Sequence, residues 1–372
     1  MAVMSVEACA SYDLDGVRRS VTAVLAQLGG IARFVRPGMR VLLKPNLVSP
    51  LPLEQGVTTH PAVVQAVAEQ VQEAGGTVLI GDSPGGPLSR GPVGWRAGGL
   101  IDVAERTGAT LVPFEEVIWK RLDGADYFLA RPVFEADLVI NLPKLKTHML
   151  TLFTGGVKNL FGAIPGTRKR EAHCRALGPR EFSHILVDVL ALVPTALTIM
   201  DGVIGQEGNG PGSTGTPRRY GCLAASPDPV ALDAVLAGAM GYRVGQVLHL
   251  TLAGERGLGV SDPAAVRVEG DAHVLDFGRV SKPWSRGWLR VPAWINPLLG
   301  RIVHVRPRVD AALCVGCGEC AQVCPPQAIS PGTPPDFDLD ACIECMCCAE
   351  VCSKGAITPH RSLIARLIGL GY

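Results

Sequence analysis

The sequence predicts a large, mostly parallel α/β domain followed by a small, cysteine-rich α+β domain. Over the first 270 residues, short apolar runs alternate with helical patterns, and this alternation is typical of a mostly parallel α/β sheet. Nine of the twelve cysteines then fall between Cys314 and Cys352. The chain has 372 residues, 47% of them hydrophobic, which is enough for one large core and a second, smaller unit.

The strands and helices of the large domain can be placed from their patterns. We predict strands at Val41–Leu43, Thr77–Ile80, Asp137–Ile140 and Leu197–Met200, and helices at His60–Ala74, Ile101–Thr107, Phe182–Val193 and Pro229–Met240. Polar, glycine-rich segments follow the strands, and open α/β sheets bind ligands at the carboxyl ends of their strands. We therefore expect these segments to meet at one edge of the sheet.

Eight of the clustered cysteines form two copies of one spacing, with gaps of two, two and three residues. The runs are Cys314, Cys317, Cys320, Cys324 and Cys342, Cys345, Cys348, Cys352. This spacing is typical of paired [4Fe–4S] clusters, in which the fourth cysteine of each run ligates the other cluster. The first cluster is therefore assigned to Cys314, Cys317, Cys320 and Cys352, and the second to Cys342, Cys345, Cys348 and Cys324. The small domain is predicted to be bacterial ferredoxin-like, with two [4Fe–4S] clusters.

Other uses of cysteine fit this pattern less well. Zinc sites typically use isolated Cys-x2-Cys pairs with four ligands per metal, and cysteine-dense disulfide scaffolds are small secreted domains. Cys347 adjoins Cys348, but only Cys348 keeps both gaps, so Cys347 is predicted to be a bystander. Unprotected clusters and unpaired thiols fit a reducing compartment, and we expect a cytoplasmic location.

The chain divides into four predicted parts. These are the α/β domain (1–270), a tryptophan-bearing linker (271–309), the two-cluster domain (310–360) and a C-terminal helix (361–372). The linker residues Trp284, Trp288 and Trp294 either pack on the large domain or form a partner-binding surface.

Charge and hydropathy limit the partners that we expect. The net charge of +1 gives no indication of nucleic-acid binding, and no apolar stretch is long enough to be a transmembrane segment. Residues 310–360 contain seven acidic side chains and a single lysine. An acidic face for a basic redox partner protein is expected there, although a merely soluble small domain would have a similar composition.

Cationic and amide side chains are concentrated in the segments that follow the predicted strands. The candidate substrate-binding residues are Lys44, Asn46, Asp82, Lys144, Lys158 and Asn159, and the candidate catalytic residues are Lys146, His148 and Glu207. Because Lys144, Lys146 and His148 alternate, an extended backbone would present them on one face. Glu207 lies in Asp201–Gly212, predicted to be a mobile loop with two carboxylates suited to acid–base chemistry. These positive donors predict a small anionic ligand, although turns and a solvated basic surface use the same residue types.

The order of these segments resembles the domain of unknown function family 362. The shared motifs are Lys44-Pro45-Asn46, Gly81-Asp82-Ser83-Pro84-Gly85, Asn141-x-Pro143-Lys144-x-Lys146-Thr147-His148, Gly155-Gly156-x-Lys158-Asn159, Asp201-x6-Gly208-x-Gly210 and Asp228-Pro229-x2-Leu232-Asp233. The resemblance covers about residues 1–270, and family members fused to a C-terminal two-cluster ferredoxin domain are a common form. It implies this architecture and an association with iron–sulfur clusters, but no agreed substrate.

Three functions are compatible with these features. The first is an iron–sulfur oxidoreductase that passes electrons from a cytoplasmic carrier to a small anionic substrate, held by Lys144, Lys146 and Lys158, with His148 or Glu207 transferring protons. The second is a non-catalytic electron carrier or assembly factor whose α/β domain binds a protein partner. The third is redox-neutral chemistry beside structural clusters. No G-x-G-x-x-G segment lies between a strand and a helix, so no nicotinamide or flavin Rossmann site is predicted.

Overall fold

The structure is a computed structural model that describes residues 2–48, 51–84, 91–166, 168–169, 172, 176, 178–243, 245–283 and 304–363. The predictions for Trp284, Trp288 and Trp294, and for residues 364–372 of the C-terminal helix, lie outside the described residues. The described residues form a large α/β domain and a small cysteine-rich domain.

The large domain contains twelve described strands. They are β1 (Ala2–Ala8), β2 (Arg40–Pro45), β3 (Thr77–Ile80), β4 (Thr110–Leu111), β5 (Val117–Leu122), β6 (Ala125–Ala130), β7 (Leu138–Leu142), β8 (Lys144–His148), β9 (Leu152–Thr154), β10 (Thr195–Gly208), β11 (Gly215–Ser226) and β12 (Val266–Gly270). Its described α-helices are α1 (Leu14–Gln27), α2 (Pro61–Glu73), α3 (Gly91–Ala97), α4 (Leu100–Thr107), α5 (Pro132–Glu135), α6 (Gly156–Asn159), α7 (Pro179–Leu192), α8 (Pro229–Ala239) and α9 (Leu248–Glu255).

Ten of these strands form one mixed sheet in the order β12-β1-β11-β10-β7-β2-β3-β4, with β8 paired to β10 and β9 paired to β8. β11 is antiparallel to both of its neighbours, and β9 is antiparallel to β8. The remaining pairs are parallel. The predicted fold class is therefore confirmed, and each strand and helix predicted for the large domain overlaps an element of the structure.

Two apolar cores cover the two faces of this sheet. Side chains alternate between faces along a strand, so in β2 Leu42 joins one core, while Val41 and Leu43 join the other. The core that contains Leu42 also includes α7 and α8, and the opposite core includes α1, α2 and α4. Burial on both faces explains why these strands read as continuous apolar runs in the sequence.

The prediction of a mobile loop over Asp201–Gly212 is wrong for the first eight residues, because they belong to β10. This strand pairs with β11 from Thr198 to Gly208, with one irregularity in register. Gly205 explains why a glycine interrupts the strand pattern, because a Cβ atom there would lie 2.0 Å from the carbonyl oxygen of Leu145 in β8. The glycine therefore allows β8 to lie against β10.

The small domain repeats a simple unit. Its elements are β13 (Val305–Val309), α10 (Glu319–Val323), β14 (Ile329–Ser330), β15 (Asp336–Phe337), α11 (Cys347–Val351) and β16 (Ile357–Arg361). β13 pairs antiparallel with β16, and β14 with β15. Each helix includes the third cysteine of one run, so the duplicated spacing of the sequence corresponds to a duplicated loop and helix. None of the described helices is long and apolar enough to cross a membrane.

Candidate functional site

Two buried ion pairs lie at the carboxyl ends of the central strands. Lys44 Nζ of β2 lies 2.6 Å from Asp82 Oδ1, and Lys144 Nζ of β8 lies 2.7 Å from Asp201 Oδ2. The exposed fraction of each of these four side chains is 1% or less. Pairing is what makes such burial tolerable, because an isolated charge in the interior would cost far more.

The Lys44–Asp82 pair is enclosed by backbone. Asp82 Oδ2 accepts a hydrogen bond of 2.8 Å from the Leu47 amide. Gly162 covers the pair so closely that a Cβ atom would lie 2.2 Å from Asp82 Oδ1 and 2.4 Å from Lys44 Nζ. Burial lowers the pKa of Lys44, and the neighbouring Asp82 carboxylate opposes this change. Glycine is therefore the residue that fits at position 162.

The Lys144–Asp201 pair is sealed by two aromatic side chains that the sequence did not indicate. The Tyr12 hydroxyl donates to Asp201 Oδ1 at 2.9 Å and accepts from Lys144 Nζ at 2.6 Å. The His60 ring stacks on Tyr12 with centroids 3.6 Å apart, and the His60 amide donates to Asp201 Oδ2 at 2.9 Å. Burial lowers the pKa of Lys144, and burial also lowers the pKa of His60 to about 4.

Amide side chains surround the two pairs. Lys146 Nζ donates to Asn46 Oδ1 at 2.5 Å and to the Val57 carbonyl at 2.6 Å. Asn159 Nδ2 donates to Asn141 Oδ1 at 2.8 Å and approaches the Lys44 carbonyl at 3.3 Å. The structure thus brings together most of the predicted substrate-binding residues, but in contact with one another rather than along an open surface.

Glu207 does not join this group. Its carboxylate lies 2.7 Å from Arg218 Nη1 and accepts from the Ser281 amide at 3.0 Å. Gln206 is paired in register with Lys146. Side chains of consecutive strand residues point to opposite faces, so the Glu207 side chain points away from the face that Gln206 occupies. The counter-charge for Lys144 is Asp201 instead.

His148 and Lys158 lie farther along the same edge. His148 Nδ1 accepts from the Leu150 amide at 3.0 Å and the Thr151 amide at 3.3 Å, which fixes the turn after β8. Burial, together with the charges of Lys158 and His148, lowers the pKa of His249 in α9 to about 3. These two residues are therefore near His249.

The start of α6, the helix that carries the predicted substrate-binding residues Lys158 and Asn159, is occupied by the protein's own carboxylate. Asp233 of α8 accepts from the Gly156 amide at 2.7 Å and from the Val157 amide at 2.9 Å. Burial raises the pKa of Asp233 to about 7, although these two hydrogen bonds oppose the rise. Asp228 caps α8 itself by accepting from the amides of Val230 and Ala231.

An open cavity of about 340 Å³ lies beside the Lys44–Asp82 pair. Its lining includes Asp82, Ser83, Trp95, Phe114, Glu115 and Arg168. The Arg168 guanidinium lies 4.1 Å from the centroid of the Phe128 ring, which orients it. This position, beyond the carboxyl ends of β3 and β4, is where open α/β sheets bind ligands.

The cysteines of the small domain lie close to one another in the fold. Cys314, Cys317, Cys320 and Cys352, from both runs, line one cavity. Burial raises the pKa of Cys348 well above its usual value, and the neighbouring Cys345, Cys342, Cys324 and Cys320 contribute to the rise. Thiols of both runs therefore lie close to one another, and this set of thiol ligands suits an iron–sulfur cluster.

Single-metal sites have a different geometry. Over the described residues, no three His, Cys, Asp or Glu side chains are grouped as ligands of one metal ion. A cubane does not require such a group, because each of its four thiolates binds a different iron atom.

The two domains meet at the turn that follows β8. Met149 is 5% exposed and belongs to the apolar cluster of the small domain, together with Cys320, Cys324 and Cys348. Its neighbour Leu150 packs instead against the core of the large domain. The strand that carries Lys144 and Lys146 therefore leads directly to the cysteine-rich domain.

Comparison with known families gives a clear assignment. The family model described as "Domain of unknown function (DUF362)" matches residues 41–238. The chain belongs to this family. A second family model, "4Fe-4S binding domain", matches residues 307–330. The resemblance identified from the sequence motifs is therefore confirmed, and a DUF362 domain is followed by an iron–sulfur binding domain.

Relatives of this DUF362 protein give limited functional information. A thylakoid-associated protein of Synechocystis is 38% identical over 260 residues, which cover 68% of this chain and 79% of the relative. Among solved structures, the lactate racemase apoprotein from Thermoanaerobacterium thermosaccharolyticum has a TM-score of 0.37 at 12% identity, and a Thermotoga maritima protein has 0.36 at 11%. These two alignments include 62% and 58% of this chain, and 55% and 56% of the respective solved chains.

Proposed function

We propose that this DUF362 protein is an iron–sulfur oxidoreductase that takes electrons singly from a redox partner protein and passes them to a small anionic substrate in the α/β domain. The observation that carries this proposal is the position of Met149, in the apolar cluster of the small domain and at the end of the lysine-bearing strand. Five residues of strand separate Lys144 from Met149, about 16 Å at 3.3 Å per residue.

Two [4Fe–4S] clusters, when bound, would supply one-electron transfer. Cys314, Cys317, Cys320 and Cys352 would hold one, and Cys342, Cys345, Cys348 and Cys324 the other. Their support is the crossed grouping of the thiols, which the duplicated spacing requires. The acidic side chains of the small domain would favour a basic electron donor.

The cavity beside Asp82 is the proposed substrate site. Arg168 lines it and offers a planar cation that can bind a carboxylate or phosphate through two hydrogen bonds. Lys44 holds the Asp82 carboxylate from behind, while Trp95 and Phe114 supply apolar walls. Lys144 and Lys146 keep a role as internal charges that shape the strand ends, with His148 near the second domain.

Anaerobic isolation and quantification test the cofactor part of this proposal. We expect about eight irons and eight sulfides per chain, because each run of four cysteines supplies four ligands. Cys324→Ala should lose one cluster, and the spectrum of the remaining cluster should be that of the first site. Four irons in the wild-type protein would refute the two-cluster assignment.

A binding screen tests the substrate part. Carboxylate and phosphate metabolites would be added to the reduced protein, and cluster reoxidation would be followed by absorbance. Arg168→Gln should weaken the response by tenfold or more, whereas Arg121→Gln, which removes an exposed cation of the β5–β6 hairpin, should not. Equal responses of the two variants would show that the cavity does not bind the substrate.

One observation favours a second function, a non-catalytic carrier whose α/β domain binds a protein. Lys44, Lys144 and Lys146 are almost fully buried and already bonded within the protein, so they do not line an open pocket. The two proposals differ in the screen, because a carrier would show no metabolite-dependent reoxidation.

The proposed compartment is the cytoplasm, where thiols stay reduced. The Synechocystis relative is named as thylakoid-associated. Fractionation of cells under low and high salt decides between the two locations, because recovery of the protein with membranes at both salt concentrations would contradict a cytoplasmic location.

A further inference from the structure

The turn after β8 sends two consecutive side chains into two different cores. Leu150 packs on the large domain, whereas Met149 enters the apolar cluster that surrounds the buried cysteines. Met149 is 5% exposed, although it is the only large-domain residue in that cluster among the described residues. An apolar side chain inserted in this way removes water from the surroundings of the thiols.

The position of Met149 is fixed by hydrogen bonds on both sides. Its own amide donates to the Gly210 carbonyl at 2.9 Å. His148 Nδ1 accepts from the Leu150 and Thr151 amides, which closes the turn around Met149. Close to this turn, Ser213 contacts the small domain, since a Cβ atom at Gly355 would lie 3.5 Å from the Ser213 Cβ.

The apolar cluster that contains Met149 adjoins more cysteines of the second set than of the first. The cavity formed by Cys314, Cys317, Cys320 and Cys352 is lined, over the described residues, by small-domain side chains without Met149. The apolar cluster to which Met149 belongs includes Cys324 and Cys348 of the second set, with Cys342 packed against it. From the first set it includes only Cys320, with Cys352 packed against it, so three cysteines of the second set and two of the first adjoin the cluster.

We propose that Met149 shields the cluster bound by Cys342, Cys345, Cys348 and Cys324 and thereby sets its reduction potential. This inference rests on the proposed function, because it requires that the cluster is bound. Reduction adds one negative charge to a cluster that is already anionic, and a low-dielectric surrounding disfavours the more highly charged form. Solvent exposure is one of the factors that set cluster potentials. Met149 is therefore a positioning residue that holds this potential low.

The test is a redox titration of the anaerobically isolated full-length protein, followed by electron paramagnetic resonance. Met149→Ala opens the site to water, and Met149→Gln fills it with a polar side chain of similar size. Both should raise the potential of one cluster and leave the other unchanged. Met149→Leu keeps an apolar side chain of similar volume, so its potentials should match those of the wild type.

Two controls separate this effect from loss of stability or of cofactor. Met4→Ala removes a fully buried methionine from the large core and should destabilise the fold without moving either potential. In a Cys317→Ala background, which lacks the first cluster, the shift caused by Met149→Gln should persist.

The outcomes are distinguishable. Iron and sulfide contents are measured before titration, and their absence from the wild-type protein would refute the proposed function together with this inference. If both clusters are present and the Ala and Gln variants leave both potentials unchanged, the proposed function stands and the role of Met149 is refuted. A shift confined to the first cluster would overturn the assignment to the second set.

Discussion

Removing one charge of the Lys144–Asp201 pair should produce a large and pH-dependent loss of stability. In Asp201→Asn, the Lys144 ammonium would remain buried without a counter-charge. Breaking a buried ion pair in this way typically costs about 3–5 kcal/mol. The neutral amide would also present hydrogen-bond donors toward a site where Asp201 accepts from Tyr12 and His60.

A second estimate of the free energy lost in Asp201→Asn gives a similar value. The folded variant can avoid the buried charge by releasing the Lys144 proton, whose ordinary pKa is 10.5. At pH 7 this release costs about 5 kcal/mol, because each of about 3.5 pH units contributes 1.36 kcal/mol. In the variant, the unfolded chain then binds one more proton than the folded chain. Its stability should therefore rise with pH by about 1.4 kcal/mol per unit, so that most of the loss disappears by pH 10.

Urea unfolding followed by circular dichroism at pH 7, 8 and 9 measures both the loss of stability and its dependence on pH. Lys144→Met combined with Asp201→Asn removes both charges and should cost less than Asp201→Asn alone. Asp126→Asn is the matched surface control, since it breaks the exposed Arg121–Asp126 pair of 3.9 Å and should cost less than about 1 kcal/mol. A cost below 1 kcal/mol for Asp201→Asn, without a pH slope, would show that the pair does not carry buried charge.

Three further outcomes are expected. Gly162→Ala should destabilise the protein by about 1–3 kcal/mol, because its Cβ would collide with Asp82 and Lys44, whereas Gly238→Ala in α8, where the space is open, should be neutral or stabilising in thermal unfolding. His249 has a pKa lowered to about 3 from 6.5, so its contribution to stability is complete above pH 6.5 and is lost as the pH falls. Lowering the pH from 6.5 to 5 should reduce the free energy of unfolding by about 2 kcal/mol. Unfolding curves of His249→Leu should lack this pH-dependent loss. Cys347→Ala should keep the iron content of the wild type, and a loss of about four irons would instead place Cys347 among the ligands.

The elements of the large sheet could be predicted because their signals are local. Thr77–Ile80 is a strand in both the sequence and the structure, and α2 starts at Pro61, one residue after the predicted start at His60. Asp201–Gly208 was harder to place, because its glycines and acids resemble a loop. Gly205 is required there by the contact with Leu145 in β8, and a contact between distant segments leaves no local pattern.

The candidate site shows the same division between local and long-range information. Lys44, Asp82 and Lys144 could be selected because polar residues after buried strands are unusual and meet at one edge. Their partners could not be assigned in the same way. Tyr12 lies between β1 and α1, far along the chain from Lys144, and its role depends on a hydrogen bond that only the folded chain creates. Glu207 was selected as an acid near glycines, but its strand directs it to Arg218.

Met149 connects these two kinds of information to function. In the sequence it is one apolar residue after Lys-Thr-His, and nothing distinguishes it from a core residue of the large domain. In the structure, His148 closes the turn that directs Met149 into the small domain, while Lys144 and Lys146 hold the preceding strand through buried contacts. Movement of this strand would therefore be transmitted to the cysteines, because a packed methionine cannot shift without disturbing its neighbours. In the proposed function, the buried lysines would serve electron transfer by fixing the distance between the α/β domain and the second cysteine set, even if no substrate touches them.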